Sequence, residues 1–122
     1  MTVKYKILGQ FIKDLSSETK DGETYLHVRD KISKYQLDIN INSKALKNKM
    51  IEINTILKFE DKEEAEHKSF FEMVYATIIQ LDEEIKDKTE LEKIILCDVQ
   101  LDISQNIEKS FLDLLHNSGY SN

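Results

Sequence analysis

The sequence predicts an α+β fold, a four-stranded antiparallel sheet with a long C-terminal helical segment packed on one face. Three observations carry this expectation. First, Ile51, Ile53, Leu57 and Phe59 alternate with Glu52, Asn54 and Lys58, and Phe71, Met73, Tyr75, Ile79 and Leu81 repeat the pattern, which is the period of two expected of half-buried strands. Second, residues 60–68 between these runs are too polar to bury and join neighbouring strands, so residues 50–81 read as one long hairpin. Third, Ile103, Ile107, Phe111, Leu114 and Leu115 fall on one stripe at helical spacing and supply a cover for the hairpin's apolar face.

The other elements follow in chain order. Val3, Tyr5 and Ile7 alternate with Lys4 and Lys6, and Phe11 and Ile12 extend the run, which predicts a first strand over 3–12 with Gly9 marking a bulge or a close approach. Residues 16–23 read as a loop. Tyr25, Leu26 and Val28 form an apolar island inside a polar connection to about Lys34; they either pack across the edge of the sheet or wall a groove. Tyr35, Leu37, Ile39 and Ile41 alternate with Gln36, Asp38, Asn40 and Asn42 and predict a second strand, with residues 43–48 turning into the hairpin.

Beyond Leu81 the charged residues 82–88 make a solvated loop. Thr89 and Glu92 have the spacing of a capping box, which starts a helix over 90–98 with Leu91, Ile94 and Ile95 inward. Asp102 and Gln105 repeat that start signal for a second helix over 103–118. Gly119 then stands where a left-handed C-terminal cap belongs. Asp98 and Asp102 share a face only if the two helices are continuous.

Composition narrows the function classes. With 122 residues the chain has room for one domain, 1–122. Its 40% hydrophobic content excludes a disordered chain, and its 33% charged residues imply a heavily solvated surface. A net charge of -6 repels a phosphate backbone; Lys31, Lys34, Lys44, Lys47 and Lys49 gather in one quarter, but Asp30 and Asp38 interrupt them, so no nucleic-acid partner is expected. Cys97 is the single cysteine, which rules out an intramolecular disulfide and fits a reducing cytoplasm. The N-terminus has no apolar core of a signal peptide and no later run nears the ~20 apolar residues of a membrane span, so neither standard secretion nor membrane insertion is expected.

Chemistry finds little purchase. His27, His67 and His116 are isolated from other metal-ligating residues, Cys97 has no histidine near it, and three glycines leave no phosphate-cradling loop. No metal, no cofactor and no enzymatic activity are expected. What remains is a surplus of apolar side chains: Phe70, Val74 and Ile78 give the last strand a second apolar face, as Ile56 does for the strand before it. Such a strand forms a subunit interface or a groove for extended apolar segments, unless another part of the chain covers it.

The run Phe11-Ile12-Lys13-Asp14-Leu15-Ser16-Ser17-Glu18 resembles the motif that closes the first strand in the SecB family of cytoplasmic export chaperones, which bind unfolded preproteins. The later order is similar to that family too: a crossover, then Gln36–Ile41, a hairpin with Glu52 and Phe70-Phe71-Glu72, and a helical segment ending at Asn117-Ser118-Gly119-Tyr120. The chain departs from the family pattern at Ala76-Thr77-Ile78-Ile79, where a glycine-rich strand end is usual, and at Val99-Gln100 and Ser104-Gln105, where prolines are usual. It is expected to be a divergent, C-terminally short member, since relatives continue past the position of Asn122 into a final short helix.

The resemblance implies a holdase, a dimer of dimers without cofactor that binds unfolded preproteins in hydrophobic grooves and hands them to the export motor SecA. Matching positions for the client are Tyr35, Leu37 and Ile39, with Tyr25 and Leu26 as a groove wall. Those for SecA are Asp14, Glu18, Phe70 and Glu72, of which the acidic trio Asp14, Glu18 and Glu72 would steer a basic partner. Two alternatives stay open: a chaperone on the same fold dedicated to one partner, as in toxin–antitoxin systems, and a small ligand-binding α+β domain with a closed pocket.

Overall fold

The computed structural model of the protein describes residues 5–61 and 68–120. The chain runs β1 (Tyr5–Glu18), α1 (Gly22–Lys31), a 3-10 turn (Ile32–Lys34), β2 (Gln36–Ala45), β3 (Met50–Glu60) and β4 (Phe70–Leu81). It then enters α2 (Lys88–Lys93), which passes through a π turn (Ile94–Asp98) into α3 (Val99–Asn117). The strands form one antiparallel sheet in the order β1-β4-β3-β2, so the hairpin β3–β4 lies at its centre and β1 and β2 are its edges.

Register explains the core. Phe59 stands opposite Phe71, Leu57 opposite Met73, Thr55 opposite Tyr75, Ile53 opposite Thr77 and Ile51 opposite Ile79, so one face of the hairpin is almost wholly apolar. Against it pack Val99, Ile103, Ile107, Phe111 and Leu115 from α3; Phe71, Met73, Ile53, Ile79 and Ile103 are fully buried. The four-residue spacing of this stripe is longer than the 3.6-residue turn of an α-helix. The wider π turn absorbs part of the mismatch and keeps Leu91 and Ile95 in line with Val99.

Several expectations need correction. β1 does not stop at Ile12: the polar residues Ser16, Ser17 and Glu18 stay paired to Glu72, Phe71 and Phe70, because a long partner strand overrides their turn preference. A bulge does fall beside Gly9, at Leu8, and a second follows at Lys13. Residues 22–31 are a helix and not an irregular island, capped by the Asp21 carboxylate, which accepts from the Thr24 N–H at 2.8 Å, with Thr24 and Val28 buried one turn apart.

The helical segment is continuous over residues 88–117, so Asp102 caps nothing. It begins at Asp87, whose side chain accepts from the Thr89 N–H at 3.0 Å, and not at a Thr89 box. It ends as expected: Gly119 has φ +98°, the Gly119 N–H donates to the His116 carbonyl and the Tyr120 N–H to that of Leu115, a Schellman cap. The β2–β3 turn places Asn48 and Lys49 at φ 59° and 62°, as a type I′ turn requires. Val3, His67 and most of the acidic connection lie outside the described residues.

Candidate functional site

α3 is tied to one margin of the sheet. The Tyr5 hydroxyl donates to the Asp98 carbonyl at 3.1 Å and to the Asp102 carboxylate; Gln10 Oε1 accepts from the Tyr75 hydroxyl at 2.8 Å and from the Asn106 amide at 3.1 Å; the Ser17 and Ser118 hydroxyls lie 2.7 Å apart. Contacts therefore advance together along β1 and α3. The sheet is wider than one helix, and fastening the helix over β1 and β4 leaves the same face bare at β2.

The result is a groove of about 480 Å³ between β2–β3 and the helix. Leu37, Ile39 and Ile41 line its strand side and Leu96, Phe111 and Leu112 its helix side. Leu37 is 43% and Ile39 54% exposed, whereas Leu57, directly opposite Ile39 on β3, is 3% exposed. The polar side chains in the lining are Thr55, Gln100, Ser104 and Glu108; Thr55 and Gln100 satisfy each other at 3.2 Å. A smaller cavity of about 270 Å³ continues past Ile41 and Leu96 to Glu92.

The five residues matched to client binding do not all meet there. Leu37 and Ile39 line the groove. Tyr35 stands behind its end, 8% exposed, with its ring 5.4 Å from that of Phe59 and its hydroxyl accepting from the Ser69 N–H at 2.9 Å. Burial pushes the Tyr35 hydroxyl above its ordinary pKa, against the opposing effect of the Ser69 bond, so it is neutral at physiological pH. Tyr25 lies farther off on α1, its ring tilted against that of Tyr120 at 5.2 Å and its hydroxyl donating to the Gly119 carbonyl at 2.7 Å. Leu26 is exposed on α1 and is not in the groove lining.

The four residues matched to SecA docking do share one place. Asp14 pairs with Val74, Ser16 with Glu72 and Glu18 with Phe70, which puts Asp14, Glu18, Phe70 and Glu72 together on the outer face of the sheet at its β1–β4 edge. Lys58 is directly opposite Glu72 on β3. On the same face Lys13 pairs with Glu52 at 2.8 Å and the Asn54 amide donates to Glu52 at 3.1 Å; together these hold the Glu52 carboxyl below its ordinary pKa.

The reading from sequence missed the helix side of the groove. Leu96 and Leu112 each follow a residue of the core stripe by one position, Ile95 and Phe111, and so occupy the adjacent ridge of the helix. That flanking ridge was the available signal. Among the described residues no group of three or more metal-ligating side chains comes together, and no helix is long and apolar enough to cross a membrane. The groove can bury apolar surface without regard to sequence order, because the hydrophobic effect is non-directional.

Comparison with known proteins agrees with this architecture. Residues 1–107 match the family described as preprotein translocase subunit SecB. The putative protein-export protein SecB of Pelagibacter ubique (strain HTCC1062) is 58% identical over 120 residues, covering 98% of this chain and 86% of the relative. In fold, the chain is similar to a SecB-like chaperone of Mycobacterium tuberculosis solved in complex with an antitoxin peptide, with a TM-score of 0.71 at 9% identity over 95% of this chain and 81% of that one. A protein of unknown function from Streptococcus agalactiae is similar at a TM-score of 0.51 and 8% identity, over 94% and 90% of the two chains. An apolar groove under a helix pinned to one sheet margin, a family match over most of the chain and a relative of high identity lead to one conclusion: the chain belongs to the SecB family and is a chaperone of protein export.

Proposed function

We propose that the groove between β2 and the helix is where this chaperone holds extended apolar segments of unfolded preproteins, and that it does so as a holdase, without chemistry or nucleotide. The observation that carries the reading is the exposure of Leu37 and Ile39 inside a largely apolar cleft. Each is half finished as a core residue, and a client strand laid along β2 completes its burial. Tyr35 backs the end of the cleft, and Tyr25 and Leu26 offer apolar surface beyond it to a longer client.

In this proposal the acidic face formed by Asp14, Glu18 and Glu72 around Phe70 receives a basic segment of the export motor SecA, and long-range attraction speeds that encounter. The chaperone works in the cytoplasm as a dimer of dimers. Support for self-association comes from β1, an edge strand on which Leu8, Phe11, Ile12 and Leu15 are all exposed.

The experiment is suppression of aggregation: the chain, at stoichiometric amounts and without nucleotide, keeps a denatured preprotein soluble, and light scattering reports a tetramer. A confirmed oligomer that protects nothing contradicts the holdase, and a monomer removes the assembly. The mycobacterial protein was solved with an antitoxin peptide; recovery of one stoichiometric partner from cells would assign this chain to a dedicated client instead.

A further inference from the structure

The helix side of the groove is a single ridge of residues four apart: Glu92, Leu96, Gln100, Ser104, Glu108 and Leu112. Leu96, Gln100, Ser104, Glu108 and Leu112 line the larger cavity and Glu92 and Leu96 the smaller, so the two cavities form one track along the helix. The ridge repeats itself. A glutamate followed one turn later by a leucine occurs at Glu92–Leu96 and again at Glu108–Leu112, and the residues between are uncharged. Both glutamates are exposed, and neither has an ion-pair partner among the described residues.

We infer that Glu92 and Glu108 are specificity-determining residues, which select extended apolar segments carrying two cationic side chains that face the groove and are separated by one repeat of the ridge. The inference rests on the groove being the client site. Sixteen helical residues span ~24 Å, and an extended strand rises ~3.4 Å per residue, so the two carboxylates match cations about seven residues apart on the client. Side chains of a strand face one way only at even spacings, which makes about six or about eight the favoured separations. Apolar residues between the cations fall against Leu37, Ile39 and Ile41, and the lysine or arginine stems add apolar contact of their own. The chain's net charge of -6 draws such segments in.

The test uses synthetic peptides alternating leucine with serine, identical except for two groove-facing lysines placed about eight positions apart, two placed about two apart, or two glutamines, with affinity measured by fluorescence anisotropy at low salt. The wide pair is expected to bind tightest, by about twofold to fivefold per glutamate over the glutamine peptide, and the narrow pair to fall between. High salt is expected to erase the difference. The double variant Glu92→Gln, Glu108→Gln is expected to lose the ranking, and Asp113→Asn, an exposed residue outside the groove lining, to keep it.

Equal binding of all three peptides by the intact chain, or a ranking that survives in the double variant, overturns the inference while leaving the groove as client site. Binding of none of them overturns both. A ranking lost equally in the Asp113 variant also overturns it, because net charge and not the ridge would then be selecting.

Discussion

Replacing Leu37 and Ile39 together by threonine separates holding a client from holding the fold. Fully burying a leucine or isoleucine is worth about 1.5–3 kcal/mol, and 43% and 54% of these residues remain in water. A client that covers both therefore gains ~2 kcal/mol in total, or about thirtyfold in Kd. Threonine keeps the β-branched preference for the strand. The halves already buried against β3 and α3 cost a similar ~2 kcal/mol in stability, which a domain of this size, stable by about 0.05–0.15 kcal/mol per residue, survives. The assay pairs aggregation suppression and peptide affinity with a thermal melt. A double variant that folds and still holds clients at full affinity would refute the groove as the site.

Other predictions test the parts that position the groove. Tyr35→Phe leaves the buried Ser69 N–H without its acceptor and should cost about 1–3 kcal/mol, read as a lower denaturant midpoint; an unchanged midpoint contradicts the role given to that bond. Gly119→Ala forces a side chain into φ +98° and sets its Cβ 2.9 Å from Tyr25 Cε1, costing about 1–3 kcal/mol; a double-mutant cycle with Tyr25→Ala isolates the clash. Burial and then the bond to Asp102 raise the Tyr5 hydroxyl well above its ordinary 10.0, and burial raises Tyr75. The folded state then keeps protons that the unfolded chain releases, so stability is intact below pH 10 and falls as pH rises beyond it. Urea midpoints followed upward from about pH 8 should show that fall, smaller in Tyr5→Phe; a slope identical in the variant contradicts it.

Alternation made the hairpin legible, because one of its faces is buried and the period of two leaves only one register that buries it; the same alternation set Leu37, Ile39 and Ile41 on one face of β2. The terminal cap at Gly119 was legible for a similar reason, since few residues adopt its φ. α1 was not: its buried positions, Thr24 and Val28, amount to a single turn of contact, and only Asp21 at its start signals a helix. The continuity of α2 and α3 was hidden by the π turn, which breaks the 3.6-residue period where Asp102 imitates a new start. Of the site, Leu37 and Ile39 could be placed on a strand face, but their exposure depends on where the helix lies. That is set by Tyr5, Gln10 and Ser17, polar residues far from the groove. Leu26 could not be placed relative to the groove from sequence, because which way an apolar residue on a short helix faces depends on how that helix packs.

The most direct measurement is site-specific photo-crosslinking to a denatured preprotein, with a benzophenone side chain at Ile39 and, separately, at Leu26. The groove account predicts strong adducts from Ile39, competed away by excess apolar peptide, and weak ones from Leu26. Adducts from Leu26 alone, or none from Ile39 while aggregation is still suppressed, would contradict it and move the client to another surface.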